Sequence, residues 1–271
     1  MKLYIYYGLE NEKVPKDVTH VIVDSSVKVI KKYAFKQCTH LVSLIMRDSV
    51  KRIEEEAFSG CIALRFIRLS KILENIGQRA FEYCESLEVV FLPSTPVRSI
   101  GLWAFRYCLS LRLLILPNRD YVDEIIAYTA IYEIAENAGV AYEEGDDHFV
   151  TDASLRRVNE WLIHHMDEAP FHKLCYKSSI TTKHLNDYLN EHGNDSALAI
   201  DTIHGMTPLH MLSMNPHSPS DAIAALLDHV DMDVAFRLDN QGKTSLEYAR
   251  DYNVGGLVAL VNGLCNRRNA A

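Results

Sequence analysis

The chain holds no Gly-rich phosphate loop and no Ser nucleophile elbow, so the usual signatures of nucleotide binding and of α/β-hydrolase chemistry are missing. Among its twelve histidines, His204, His210 and His217 have no accompanying cysteine or carboxylate at a zinc-ligand spacing. His164 and His165 are adjacent, which on a helix turns them about 100° apart, and His204, His210 and His217 stand alone. Cys175 and Cys265 fall on apolar helical stretches, where a cysteine is usually inert. No Lys/Arg run marks a nucleic-acid surface, and no apolar run is long enough to cross a bilayer. The opening Met1–Tyr7 is apolar but short, is followed by Glu10 and Glu12, and lacks a small-residue cleavage site. These absences lead to an expectation of a cytoplasmic non-enzyme. They also leave no cofactor, metal, small-molecule substrate, nucleic acid or membrane to expect as a partner. An undetected metal-dependent hydrolase in the second half is the remote alternative.

Charge is unevenly spread. Residues 1–120 carry 18 Lys+Arg against 13 Asp+Glu, and residues 121–271 carry 10 against 23. The reversal of sign predicts a domain boundary near residue 120. It also predicts that the halves attract, which bears on association and not on fold.

One pattern dominates the first half: Ile, then Ala-Phe, then Cys, then Leu-x-x-apolar-x-apolar. The copies are Ile30/Ala34-Phe35/Cys38/Leu41-Leu44-Met46 and Ile53/Ala57-Phe58/Cys61/Leu64-Ile67-Leu69. Two more follow, Ile76/Ala80-Phe81/Cys84/Leu87-Val90-Leu92 and Ile100/Ala104-Phe105/Cys108/Leu111-Leu114-Leu116. The cysteine steps are 23, 23 and 24 residues. A fixed period of this size is the signature of a solenoid, whose coils bury their apolar sides only by stacking. The closing alternation of each copy is a strand signal, and strands of successive coils should pair in parallel. Ala-Phe sits on the return of the chain, with Ala permitting close backbone approach and Phe filling the coil. The four cysteines read as buried reduced thiols, with adjacent-coil disulfides as the sharper alternative. Leu3, Ile5 and Tyr7, then Val18, Val21 and Val23, read as an N-terminal cap carrying a half-repeat.

With Gly77, Gly101, Pro93 and Pro117 added, these residues resemble the BspA-like leucine-rich repeat family over about residues 14–120. Lys31 and Glu54 stand where that family often has Gly. The resemblance implies a curved solenoid used for binding and no enzymatic activity.

After residue 120 no fifth Ala-Phe-Cys copy is found. Val122, Ile125, Ile126, Ala130, Ile134 and Ala138 follow helical spacing to Gly139, which predicts a helical cap. Residues 140–150 read as an acidic linker. A second helix is expected from Asp152 or Ser154 as N-cap, with Leu155, Val158, Trp161, Leu162 and Met166 on its apolar face and Trp161 as a packing anchor.

A looser repeat begins at residue 169. Pro170-Phe171-His172-x-Leu174, Thr207-Pro208-Leu209-His210-x-Leu212 and Thr244-Ser245-Leu246-Glu247-x-Ala249 open its units, at steps of 38 and 37 residues. Each opening is followed by a second amphipathic stretch: Leu185/Tyr188/Leu189, Ile223/Leu226/Leu227/Val230 and Leu257/Val258/Leu260/Val261/Leu264. Gly205-x-Thr207-Pro208-Leu209-His210 and Asp239-x-x-Gly242-x-Thr244 resemble the ankyrin turn and first helix over about residues 169–265. The period exceeds the usual ~33 residues, and Leu174 and Leu212 replace an expected alanine. The resemblance implies protein binding through turns and inner helices, and a structural role for the His of Thr-Pro-Leu-His.

The expected fold class is therefore an α/β repeat protein, a leucine-rich-repeat solenoid with short parallel strands followed by an all-α ankyrin-like helical domain. Its expected domains are 1–120 (1–24 as cap), 121–168 as helical cap and linker, and 169–271. Between the inward strand positions lie two columns expected to face outward on the concave side of the solenoid, His20/Ser43/Phe66/Val89/Leu113 and Ile22/Ile45/Arg68/Phe91/Ile115. They are unusually apolar for a solvated face, and a large exposed apolar patch marks interaction sites. Phe66, Arg68, Val89, Phe91, Leu113 and Ile115 are the expected binding residues for an unidentified protein ligand, on a scaffold-type module. The alternative is a compact structural unit whose strand face is covered by its own helical domain.

Overall fold

The computed structural model describes residues 1–94, 97–116, 125–140 and 152–270. Pro117, Val122, the linker 141–150 and the Leu155 side chain, all named above, lie outside them. The chain divides into two units, Met1–His165 and Met166–Ala271.

The first unit winds as a succession of short parallel strands: β1 (Leu3–Tyr6), β2 (His20–Val23), β3 (Val29–Ile30), β4 (Ser43–Ile45), β5 (Arg52–Ile53), β6 (Phe66–Arg68), β7 (Asn75–Ile76), β8 (Val89–Val90), β9 (Ser99–Ile100) and β10 (Leu113–Leu114). Two ladders run along the stack. One is β1-β2-β4-β6, continued by the pair β8-β10, and the other is β3-β5-β7-β9. The second ladder is built on the Ile30/Ile53/Ile76/Ile100 position, which the repeat pattern singled out only as apolar.

Inside the coils every repeat position forms a column. Phe35, Phe58, Phe81 and Phe105 stack face to face at 5.0, 5.1 and 5.3 Å, and Tyr6 closes the column on Phe35 at 5.0 Å. The alanines serve the return turn: the N–H of Phe35, Phe58 and Phe81 each donates at 2.8 Å to the Ala carbonyl of the next coil. The four coil cysteines, Cys38, Cys61, Cys84 and Cys108, are free and buried. The thiols of Cys61, Cys84 and Cys108 donate to the carbonyls of Phe35, Phe58 and Phe81 at 3.1, 3.4 and 3.2 Å. A thiol thus satisfies a buried carbonyl that an alkyl side chain would leave to its backbone bonds alone. Gly77 is set by close approach, since a Cβ there would fall 2.6 Å from the Glu54 backbone.

The return turn also carries two columns of left-handed residues, Tyr33/Glu56/Arg79/Trp103 and Gln37/Gly60/Tyr83/Tyr107/Tyr128. Eight of these nine are not glycine, although αL costs an L-residue about 1–2 kcal/mol. Their N–H groups repay it in the ladder: Glu56 donates to Gln78, Tyr83 to Arg106 and Tyr107 to Ala127, at 3.0, 2.9 and 2.9 Å.

The stack does not stop after four coils. The N–H of Phe105 donates to Ile125, as each earlier Phe does to the next Ala, and Tyr128 stacks on Tyr107 at 4.6 Å. Ile125, Ile126, Tyr128 and Thr129 therefore take the Ala, Phe, left-handed and Cys positions of a fifth turn. The helix expected from residue 122 begins only at Ala130, as α1 (Ala130–Asn137). It is followed by α2 (Asp152–His164), which places Ser154 within the first turn and not at the cap. Val158 and Leu162 of α2 join the solenoid core, and the N–H of Leu116 donates to the Leu162 carbonyl at 3.1 Å. Trp161 packs against that core, as a packing anchor should.

The second unit is helical. Its elements are α3 (Pro170–Tyr176), α4 (Thr182–His192), a 3-10 turn (Asn194–Leu198), α5 (Pro208–Met214), α6 (Ser220–Leu227), α7 (Met232–Ala235), α8 (Ser245–Tyr252) and α9 (Val254–Ala270). α3, α5 and α8 pack side by side in one layer, and α4, α6 and α9 in the other. Successive units are tied by bonds that repeat with the sequence. Asn215 Nδ2 donates to the carbonyls of Cys175 and Lys177, both at 2.9 Å, and Asn253 Nδ2 donates to those of Asn215 and Ser218 at 2.9 and 3.0 Å. His172 Nε2 donates to Met206 at 2.8 Å, and His210 Nε2 to Arg237 and Lys243 at 3.0 and 3.2 Å. Both histidines are held below the ordinary imidazole range, chiefly by burial.

Candidate interaction surfaces

The pairing register fixes which side chains share the outward strand face. Leu3, His20, Ser43 and Phe66 align in one column, with Ile5, Ile22, Ile45 and Arg68 in the next. Val89 and Leu113 align with each other farther along the stack. Because strand side chains alternate, these residues point away from the core that Val21, Leu44 and Ile67 enter.

Accessibility divides the face. Leu3 and Ile5 are 54% and 43% exposed. Ile22, Ile45, Phe66 and Arg68 are half-buried. Val89, Phe91, Leu113 and Ile115 are buried. Of the six residues expected from sequence, Phe66 and Arg68 are thus the ones with open surface. Arg68 is held in place by its Nη1, which donates to the Met46 carbonyl at 2.6 Å, and by its pair with Asp48 at 3.3 Å. Leu3 and Ile5 extend the columns by one strand. The signal for this was present, because they alternate ahead of Tyr7, but their register with β2 was not readable.

A different surface forms on the return turns. The Trp103 ring lies against two guanidiniums, Arg79 at 4.7 Å and Arg106 at 4.5 Å from its centroid. Beside it Tyr83, Tyr107 and Tyr128 stack at 4.6 Å steps. Glu82 is buried between the two arginines, 3.8 Å from Arg79 Nε and 3.7 Å from Arg106 Nη1. Burial pushes its carboxyl upward, and the arginines pull it back. Sequence reasoning missed this cluster because its members share only a coil position, not a residue type.

In the second unit two turns are built alike. Asp201 accepts from the N–H of His204 at 2.7 Å and of Met206 at 2.8 Å, and Asp239 accepts from Gln241 and Lys243, both at 2.9 Å. Gly205 and Gly242 follow at φ +68° and +69°. Just ahead of these aspartates, Leu198/Ile200 and Phe236/Leu238 occupy equivalent places and are all exposed. This yields a second apolar surface, with two residues per turn.

Among the described residues no group of three or more His, Cys, Asp or Glu side chains is placed to hold a metal ion. No helix of the described residues is long and apolar enough to cross a membrane.

Three solved structures are similar to parts of the chain. A leucine rich repeat protein of T. pallidum is 30% identical over 46% of this chain and 56% of its own, with a TM-score of 0.38. A leucine-rich repeat protein from Bacteroides ovatus is 36% identical over 38% of this chain and 26% of its own, with a TM-score of 0.35. A leucine rich cell surface protein from Faecalibacterium prausnitzii is 19% identical over 54% of this chain and 47% of its own, with a TM-score of 0.26. The chain therefore spans less than two thirds of the length of each. No curated protein sequence matches it. Residues 14–129, from the half-repeat of the cap through the fifth turn at Thr129, match the model of the BspA type leucine rich repeat region in six copies.

Proposed function

We propose that this chain is a non-enzymatic protein-interaction module whose solenoid takes a protein ligand on the outward strand face. The observation that carries this reading is the pair of registered columns, in which Leu3, Ile5, Ile22, Ile45 and Phe66 keep apolar surface open beside the fixed guanidinium of Arg68. A cluster of aliphatic and aromatic anchors with one arginine is the composition of a binding hot spot. The leucine-rich repeat match over residues 14–129 supports a repeat module of this kind.

The burial of Val89, Phe91, Leu113 and Ile115 favours a second reading for the far end of the columns. There the chain covers its own face, those four residues serve architecture, and Phe66 marks the limit of the open area. We read Met166–Ala271 as ankyrin-like repeats. The support is the helix pairs, the two Asp-Gly turns and the His210 bonds to the neighbouring turn. Leu198, Ile200, Phe236 and Leu238 are then its contact residues.

The test is site-specific photocrosslinking in native lysate. A crosslinker in place of Phe66 is compared with one in place of Leu109, an exposed residue away from the strand columns. A discrete adduct from Phe66 that is abolished by Ile22→Glu/Ile45→Glu, with no adduct from Leu109, is the expected result. Equal labelling at both positions, or no adduct at Phe66, refutes the strand-face site.

A further inference from the structure

The tyrosine column on the return turns stops where the solenoid does not. Tyr128, Tyr107 and Tyr83 hold the second left-handed position of successive coils, with rings 4.6 Å apart and interplanar angles of 7° and 10°. The next position along the stack is Gly60, at φ +74°, and the one after it is Gln37, at φ +60°. The backbone ladder continues through both, since the N–H of Gly60 donates to Glu82 and that of Gln37 to Ser59, each at 2.8 Å. The column therefore lacks a rung at Gly60, inside the stack. Conformation alone does not ask for glycine there, because the other left-handed residues of the return turns carry side chains at similar φ.

Exposure follows the gap. Tyr107, with a ring on each face, is half-buried, whereas Tyr83 is 42% exposed. Only the Gln37 side chain enters the level of Gly60: a Cβ on Gly60 would fall 2.1 Å from Gln37 Nε2. The Gln37 amide thus lies at the root of the gap, beside the backbone, and forms no hydrogen bond among the described residues. The levels of Tyr83 and Gln37 are two coil steps apart, about 9.6 Å. One flat ring between them stands at the spacing the column already uses.

We propose that the gap over Gly60 is a subsite for an aromatic side chain, tyrosine or tryptophan, of a partner polypeptide. The guest ring stacks on the open face of Tyr83 and continues the column. Entering from solvent, it points its hydroxyl or indole N–H at the root of the gap, where the Gln37 amide oxygen accepts the proton. The adjoining column, Lys36, Ser59, Glu82 and Arg106, favours an uncharged guest. Lys36 is paired with Glu56 and Arg106 with Glu82, so both cations of that column are already matched and neither is reserved for the phosphate of a nucleotide. A buried ring of this kind is the sort of anchor that dominates protein interfaces. The subsite lies on the return turns, so it stands or falls separately from the strand-face site.

The test is proton–nitrogen correlation NMR of the full 271-residue chain. The probes are N-acetyl-tyrosinamide, N-acetyl-tryptophanamide, N-acetyl-leucinamide and adenosine monophosphate. The two ring probes should shift the Tyr83 backbone amide and the Gln37 side-chain amide saturably, with half-saturation in the millimolar range, because one ring supplies the whole contact. Gly60→Gln repeats the residue the column already holds at Gln37 and lays an aliphatic chain across Tyr83 without offering a new ring face. It should weaken the ring probes about fivefold or more. Should Gly60→Gln disturb folding, Gly60→Tyr supplies the missing rung from the chain itself and should displace the same probes. The proposal is overturned by the absence of a saturable shift at Tyr83 and Gln37, or by an equal response to N-acetyl-leucinamide. It is also overturned if adenosine monophosphate binds more tightly than either ring probe, or if ring-probe binding is unchanged in a folded Gly60 variant.

Discussion

Replacing Phe58 by alanine is the sharpest test of how the solenoid is held together. Phe58 is fully buried and stacks on a phenyl ring at both faces, at 5.0 and 5.1 Å. Phe105 has a ring on one side only, at 5.3 Å, because Ile126 occupies the Phe position of the next turn. Truncating a buried Phe costs about 3–5 kcal/mol, and an aromatic pair contributes about 0.5–1.5 kcal/mol beyond area burial. Phe58→Ala should therefore fall near ~5 kcal/mol and Phe105→Ala near ~3 kcal/mol. Phe58→Leu keeps most of the apolar volume and removes only the stacking and some fit, for about 1.5–2 kcal/mol. Both tryptophans, Trp103 and Trp161, lie in Met1–His165, so their fluorescence during urea unfolding reports this unit without interference from the helical one. With a urea slope of about 2 kcal/mol per molar, Phe58→Ala lowers the midpoint by about 2.5 M. The reasoning fails if Phe58→Ala and Phe105→Ala cost the same, or if Phe58→Leu is as damaging as Phe58→Ala. Either result would mean that the column is ordinary apolar filling and that ring-on-ring contact adds nothing.

The helical unit should lose stability as the pH falls below about 6.5, because burial lowers the pKa of His172 and His210 and the unfolded chain takes up their protons first. His210 Nδ1 also accepts from the Thr207 N–H at 3.1 Å, a bond that a proton on that nitrogen would break. Each histidine can add at most about 1.4 kcal/mol per pH unit, and His172→Gln should flatten the circular-dichroism melting profile between pH 6.5 and 5, whereas an unchanged profile contradicts the assignment. Asn215→Leu should cost about 3 kcal/mol, since it strands the buried carbonyls of Cys175 and Lys177 and the N–H of His217. Asn253→Leu, whose site is only half-buried, should cost about half as much, and thermal melts giving the reverse order would overturn this reading.

How much of this was legible in the residues depended on what each position constrains. Phe, Ala and Cys recur because the coil interior admits one size and one hydrogen-bonding habit, and that repetition located the core. The fifth turn escaped notice because its Ile125, Ile126 and Thr129 meet the same volume and backbone demands with other residue types. The second strand ladder lies on two-residue segments, too short for alternation to show. The left-handed columns are invisible in sequence because Tyr, Glu, Arg, Trp and Gln hold a conformation usually signalled by glycine. Alternation identified which strand residues face outward, but not which of them stay open. Val89, Phe91, Leu113 and Ile115 are as apolar as Ile22 and Ile45, and only the folded chain separates them. Asn215 and Asn253 stand 38 residues apart, the period of the helical repeat, yet their bonds run between helix ends that no local pattern links.

The Phe, Ala and Cys columns have one more consequence. Each coil meets the next through the same ring stack, the same amide-to-alanine bond and the same thiol bond, so a coil cannot tell which neighbour it has. A tandem duplication of one 23-residue period inside the solenoid would create no junction of a new kind. Length is then a neutral variable of this architecture, set by where the terminating elements fall: Tyr6 at one end, Leu162 and Val158 of α2 at the other. Evolution can lengthen or shorten such a chain by unequal recombination without redesigning any contact, and selection on reach acts on copy number rather than on residue chemistry.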